Sequence, residues 1–253
     1  MIETERIQVM KDGLQEDGQY VLYWMQQAQR VRYNHALMYA IHRANELNVP
    51  VVVVFGLTDD FPEANERHYA FMLEGLRDVA IALKKRKIRF VLKHQSPDVA
   101  ALSLAKDAAL VVMDRGYLKI QKVWRSRVVA DAPCGVVQVE TDVVVPVDVV
   151  TDKEEYAART IRPKIHNVLE DYWVPLDDVQ VKQPSLKMMT ETIPSTPNSA
   201  IDTDAKLACL FRPAYRLACQ YISTNRTENA TPIQILIVRI TYKQTLRQWV
   251  LDI

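Results

Sequence analysis

Apolar runs alternate with amphipathic stretches through the first 145 residues. The run VLYWM at 21–25 and the run VVVVF at 51–55, preceded by Pro50, are short, continuous and rich in β-branched residues. Such runs suit strands covered on both faces, as in a parallel sheet. Between them Val31, Leu37, Met38, Ile41, Ala44 and Leu47 recur at helical spacing. Strand, helix, parallel strand is the βαβ unit, with its right-handed crossover. Tyr69, Met72, Leu73, Leu76, Val79, Ala80 and Leu83 form a second helical stripe, and residues 88–92 a third strand. Residues 99–108 predict a short helix and 110–113 a fourth strand. Ile120, Val123, Trp124 and Val128 mark another helix, and 136–139, with 143–145, supply a fifth strand. The alternation predicts a doubly wound α/β domain with a mostly parallel five-stranded sheet over residues 1–176.

After residue 176 the pattern fails. The stretch TETIPSTPNSAIDTD at 190–204 is rich in Thr, Ser and Pro, so 177–206 reads as a linker. Residues 207–253 read as an irregular tail whose apolar run at 233–240 has no helical stripe around it. Glycine gives the same division. Its six positions end at Gly135, leaving 118 residues without one, where average usage predicts about eight.

A net charge of +1 offers no general basic excess for nucleic acid. The apolar runs are shorter than the ~20 residues that span a membrane. The charged, mixed N-terminus does not read as a signal peptide. Cys134, Cys209 and Cys219 show no metal spacing, which suits a reducing cytoplasm. The five histidines have no acidic partners at ligand spacing.

Four segments carry a family resemblance: YWMQQAQRVRYNHAL at 23–37, VPVVVVFGLTDDFPEANERHYAFMLEGL at 49–76, MDRGYLKIQKVW at 113–124 and EYAARTIRPKI at 155–165. In this order and spacing they resemble the N-terminal α/β domain of class II cyclobutane-pyrimidine-dimer photolyases. The resemblance implies light-dependent repair of ultraviolet-damaged DNA, a carbon–carbon lyase reaction at FAD held by a helical C-terminal domain. It also implies an antenna chromophore, often a deazaflavin, between the domains. IDTDAK at 201–206 and LFR at 210–212 still resemble the approach to that flavin domain. A Gly-Gly-Thr-Ser turn is expected next, but the chain reads PAYRLACQYISTN, and the family's later flavin and lesion motifs are missing. The expectation is a truncated or frameshifted flavin domain, and a chain that does not itself hold FAD or repair DNA. The bare interface, with candidates Trp24, Ile165, Leu169 and Trp173, is then expected to self-associate or to meet the missing domain.

In open α/β sheets ligands sit beyond the carboxyl ends of the strands. There Trp24 and Met25 are candidates for the apolar wall of a chromophore site. Arg30, Asn34, Thr58, Asp59, Asp114 and Arg115 are candidates for its polar and charged groups. Taken singly, Thr58 and Asp59 read rather as caps of the following turn or helix. The turn WMQQAQR lacks the glycines that cradle a pyrophosphate, which disfavours a nicotinamide enzyme. The basic run at 84–89 reads as a solvated helix end, and a second basic group, Arg115, Lys119, Lys122, Arg125 and Arg127, borders the crevice. In EYAARTIRPKI, Pro163 is expected to break or start a helix, and its charges either pair across an interface or form a solvated turn. Two other readings stand beside the antenna domain. One is a free-standing nucleotide- or flavin-binding module, and the other a photolyase fragment with no function of its own.

Overall fold

The computed structural model of the protein describes residues 2–188, so the predicted tail and most of the predicted linker lie outside the described residues. The two valine-rich runs form strands β2 (Tyr20–Trp24) and β3 (Val51–Leu57), buried at every position. They pair in parallel, Val21 opposite Val51 and Trp24 opposite Val54. The connecting helix α1 (His35–Leu47) buries Leu37, Met38, Ile41 and Ala44. Asn34 starts it, its side chain accepting a 2.8 Å bond from the Leu37 N–H. Asn48 ends it in the left-handed region at φ 55°, which asparagine tolerates better than most residues.

Helix α2 (Glu66–Lys85) begins at Asn65, whose N–H donates to Nδ1 of His68 while its side chain accepts from the Arg67 N–H. Leu73, Leu76, Val79 and Leu83 of the predicted stripe enter the core. Tyr69 and Met72 do not, and line a cavity described below. The basic run closes α2, and Lys87 at φ 61° turns the chain into β4 (Arg89–His94). Helix α3 (Pro97–Ala105), strand β5 (Ala108–Asp114), helix α4 (Lys119–Asp131) and strand β6 (Gly135–Val139) follow.

The sheet has six strands, not the predicted five, in the order β1-β6-β5-β2-β3-β4. The additional strand β1 (Ile7–Lys11) runs antiparallel to β6 at the edge. It escapes the apolar pattern because none of its residues is buried, as an edge strand needs only one covered flank. The predicted strand at 143–145 is instead a bend. Arg6, 2% exposed, donates to the carbonyls of Val143 and Val144, pairs with Glu3 at 2.9 Å and lies 5.7 Å from the ring centroid of Tyr172. Those carbonyls are therefore unavailable to a ladder.

The chain builds β3 and β4 outward from β2, then returns to lay β5 and β6 on the other side. Helix α1 packs against β2 and β5, and α3 packs against β3 and β2. One large core cluster joins Leu22, Trp24, Val52, Val54, Leu104 and Trp124. After a short helix α5 (Val147–Val150), helix α6 (Ala158–Tyr172) runs through Pro163 without ending. The expected break does not occur, although proline removes one backbone donor there. Trp173 at its end is 69% exposed, while Ile165 and Leu169 are half-buried.

Residues 178–188, placed by sequence in the linker, are bound to the domain. Arg86 pairs with Asp178 at 2.6 Å, and Asn45 exchanges bonds with Gln180 and Lys182. The Ser185 N–H donates to Lys87, and the Arg89 N–H donates to the Ser185 hydroxyl at 2.7 Å. Ser185 is 1% exposed. The domain therefore continues beyond residue 176 at least to this strap.

His35 opens α1 beside Arg6, its N–H donating to the Thr141 hydroxyl at 2.8 Å. Burial, and then the Arg6 charge, lower its pKa from the ordinary 6.5 to about 4. A lowered histidine pKa means that the unfolded chain takes up the proton first as pH falls. Folding stability therefore declines between pH 6.5 and 4. After discount for partial exposure, His35→Gln is expected to remove on the order of 1 kcal/mol of that acid loss. Parallel unfolding curves for the two proteins across this window would contradict it.

Candidate functional site

The strand order reverses between β2 and β5, which makes their carboxyl ends the switch point of the sheet. Asp114, the last residue of β5, is fully buried there. Its carboxylate accepts from three successive backbone N–H groups of the loop after β2: Gln26 at 3.3 Å, Gln27 at 3.0 Å and Ala28 at 2.8 Å. It also accepts from the Tyr23 hydroxyl at 3.3 Å. Burial raises the pKa of Asp114 and the three N–H donors oppose the rise. In nucleotide-binding sheets the loop after the first strand and the helix N-terminus receive a pyrophosphate. Here an internal carboxylate takes those donors, so this part of the crevice is closed to anions.

The sequence candidates separate. Asp114 faces inward as described. Asn34 is fully buried, capping α1 and donating to Tyr23, Ala28 and Arg30. Arg30 pairs with Asp142 at 3.4 Å and donates to the Thr141 and Tyr33 carbonyls. Arg115 pairs with Asp148 at 2.7 Å and Glu140 at 3.4 Å. Asp59 pairs with His94 at 2.8 Å. Trp24 and Met25 are fully buried, so neither walls an open site and Trp24 leaves the expected exposed interface. Of the eight, Thr58 alone lines the cavity, its hydroxyl also accepting from the Asp60 N–H at 3.3 Å. The basic group around α4 is largely occupied too. Arg125 donates to the Gly116 carbonyl and Arg127 pairs with Asp98 at 2.8 Å.

A cavity of about 510 Å³ lies at the carboxyl ends of β2 and β3, within the range of small-molecule sites. Gly56 and Leu57 of β3 form its floor beside Pro97 of α3. A side chain at Gly56 would place its Cβ 2.5 Å from the Pro97 Cα, so glycine lets α3 approach the strand. Trp124 of α4 forms an aromatic wall, with Phe61 tilted against it at a centroid distance of 6.3 Å. Tyr69, Phe71 and Met72 close the side formed by the start of α2.

The polar part of the lining consists of amides, hydroxyls and His68, with no Asp, Glu, Lys or Arg. Gln121 donates to Gln27, and its oxygen accepts from the Leu118 N–H at 3.1 Å. Gln26 differs. Both atoms of its amide are buried without a hydrogen-bond partner, as is the indole N–H of Trp24. Each such group costs about 1–3 kcal/mol when left unmade.

Sequence reasoning missed the walls of this cavity because they come from the same stripes that fill cores. Trp124, Tyr69 and Met72 all read as packing. Two signals pointed to it: an interior glycine ending a valine strand, and three glutamines in the turn WMQQAQR. Among the described residues there is no cluster able to hold a metal ion, and no helix long and apolar enough to cross a membrane.

Comparison with known proteins gives a consistent result. The family model described as DNA photolyase matches residues 21–184. The deoxyribodipyrimidine photo-lyase of Methanothermobacter thermautotrophicus is 49% identical over 190 residues, covering 74% of this chain and 42% of that protein. The Arabidopsis thaliana protein of the same name is 33% identical over 181 residues, covering 68% of this chain and 36% of that protein. The chain thus spans roughly two fifths of the length of these relatives. Among solved structures, a bacterial class III photolyase from Agrobacterium tumefaciens aligns with a TM-score of 0.51 at 18% identity. It covers 74% of this chain and 41% of that one, a likeness of fold.

Proposed function

This chain belongs to the DNA photolyase family, and from that premise we propose that its α/β domain is the antenna-type domain of a class II cyclobutane-pyrimidine-dimer photolyase. The observation that carries the reading is the uncharged, aromatic-walled cavity at the strand ends. A neutral planar chromophore of the deazaflavin type fits its chemistry in three respects. The volume suits a small tricyclic ligand, the walls offer aromatic faces, and the polar lining is made of amides, hydroxyls and His68 without Asp, Glu, Lys or Arg. When bound, such a group absorbs blue light and passes the excitation to a flavin.

The residues of this chain bind and orient. Trp124 and Phe61 offer faces for stacking, Leu57 and Met72 exclude water, and Thr58 and the glutamines provide neutral hydrogen bonds. Asp114 acts through the backbone: it fixes the loop that carries Gln26 and Gln27. The nucleotide-binding alternative has less support. A phosphate would find no cationic side chain in the cavity lining, and the loop N–H groups at the switch point already face Asp114.

By family, the partners are ultraviolet-damaged DNA and a flavin domain. The proposed contact surface toward that domain, or toward a second copy, is the segment of Tyr156 and Trp173, 91% and 69% exposed. Sedimentation that detects only monomer at every concentration would remove the second-copy option. The α/β domain by itself is proposed not to hold FAD or split dimers, the flavin chemistry belonging by family to a helical C-terminal domain. Lesion repair requires flipping the damaged bases into a pocket, which by family belongs to the flavin domain. The test is blue-light illumination of thymine-dimer DNA with the chain alone and added FAD. No repair is expected, and light-dependent repair would contradict the assignment of chemistry to a separate domain.

A further inference from the structure

The first turns of α2 wall the cavity, and the 20 residues of this helix carry its last turn about 30 Å away. At that far end Lys84, Lys85, Arg86 and Lys87 follow one another. The strap lies against them. Arg86 pairs with Asp178 and donates to the Val179 carbonyl at 2.6 Å, and the Ser185 N–H donates to the Lys87 carbonyl at 3.0 Å. The Lys182 N–H donates to Asn45 at 2.8 Å, and Gln183 donates to Asn48 at the end of α1. These bonds bring Lys182 and Lys187 to the basic end of α2, a juxtaposition that the spacing along the chain does not show. Lys84, Lys85, Lys87, Lys182 and Lys187 are all exposed. Segments 84–89 and 179–188 contain no Asp or Glu. The nearby carboxylates are engaged, Asp178 with Arg86 and Glu46 with Arg43. Among the described residues none of the five lysines forms an ion pair.

Lysines in a last helical turn offset its dipole, but that dipole amounts to about half a charge. Most of the five positive charges therefore stay uncompensated. The net charge of +1 does not cancel them, because at physiological salt charges beyond about 8 Å are largely screened. Flexible point charges spread over an exposed surface suit a polymer of phosphates better than one small anion, which needs a concave site. Such contacts hold the backbone and read no bases. Duplex DNA is the polymer that the family of this chain supplies. We propose that the carboxyl end of α2 and the strap form a DNA contact of the α/β domain itself, where these five lysines hold backbone phosphates of undamaged duplex. The contact depends neither on the cavity nor on its ligand.

The whole chain is titrated into a fluorescein-labelled, undamaged duplex, and anisotropy is followed from about 50 to 200 mM salt. Five phosphate contacts contribute a slope of about −4 to log K against log salt. The patch variant carries Lys84→Gln, Lys85→Gln, Lys87→Gln, Lys182→Gln and Lys187→Gln. It is expected to bind at least tenfold more weakly at the lowest salt, with a slope shallower by about 4. A control removes the same charge from exposed positions elsewhere, with Arg32→Gln, Lys122→Gln, Lys153→Gln, Arg159→Gln and Arg162→Gln. Its affinity is expected to stay within about threefold of wild type, since distant charges are screened. Lys84→Gln with Lys85→Gln leaves the strap untouched, and a slope shallower by about 2 is expected from it. Unchanged melting temperatures show that the losses are not folding defects. No binding by wild type, unchanged binding by the patch variant, or an equal loss in the control overturns the proposal. So does binding to vesicles of equal parts phosphatidylserine and phosphatidylcholine without binding to duplex, which assigns the patch to a membrane surface. Each of these outcomes leaves the chromophore reading of the cavity standing.

Discussion

Asp114→Ala is expected to lower folding stability by about 3 kcal/mol, among the largest losses from a single polar side chain in this domain. The carboxylate is the shared acceptor of three consecutive N–H groups and the Tyr23 hydroxyl, all at a fully buried position. Alanine leaves those donors without their acceptor. A buried donor that loses its partner costs about 1–3 kcal/mol, and partial hydration of the loosened loop returns some of the sum. Asp114→Asn retains one carbonyl oxygen but sets an NH2 group against backbone donors, so about 2 kcal/mol is expected. Urea unfolding with an unchanged slope reads the difference. Hydrogen exchange should become faster at the Gln27 and Ala28 amides. A loss below about 0.5 kcal/mol for the alanine variant would mean that the loop holds itself without the carboxylate.

Gly56→Val is expected to cost about 2–3 kcal/mol and to abolish ligand binding in the cavity. Strand β3 is held between β2 and β4 and cannot retreat. A Cβ on residue 56 would lie 2.5 Å from the Pro97 Cα and 3.0 Å from the Ala100 Cβ. The start of α3 must move away, and with it the floor that Gly56 and Pro97 share. Gly56→Ala meets the same atoms with a smaller group, and about 1–2 kcal/mol is expected. Thermal unfolding of both variants checks the order. A valine variant as stable as wild type would mean that α3 is not packed against this strand as described.

The framework of the fold was legible because burial on both faces leaves continuous apolar runs at 21–25 and 51–55. Helices α1 and α2 were legible because their core faces repeat at helical spacing. Strand β1 was not, since an edge strand with no buried residue carries no such run. The strap was hidden for a related reason. Its attachment through Asp178 and Ser185 uses polar bonds to Arg86, Lys87 and Arg89, which leave no period in the sequence.

The candidate site was legible in place but not in composition. The rule that ligands sit beyond strand ends located the cavity, and Thr58 was among its residues. The charged candidates Asp114, Arg30, Arg115 and Asp59 were read as ligand groups, yet each is engaged within the protein. Sequence identifies a charge at a strand end, but whether that charge faces a ligand or the backbone depends on loop geometry. Conversely, Trp124 and Tyr69 sit at helical spacing and read as core. Only the three-dimensional gap above Gly56 separates a packed stripe from a binding wall.

The central claim is that this α/β domain holds a neutral planar chromophore in the cavity above Gly56. Equilibrium dialysis of the wild-type chain and Gly56→Val against 5-deazariboflavin, with absorbance as the readout, tests it most directly. Saturable one-to-one retention by wild type, with none by the valine variant at a temperature where both remain folded, is the predicted result. No retention by wild type, or equal retention by the two proteins, would contradict it.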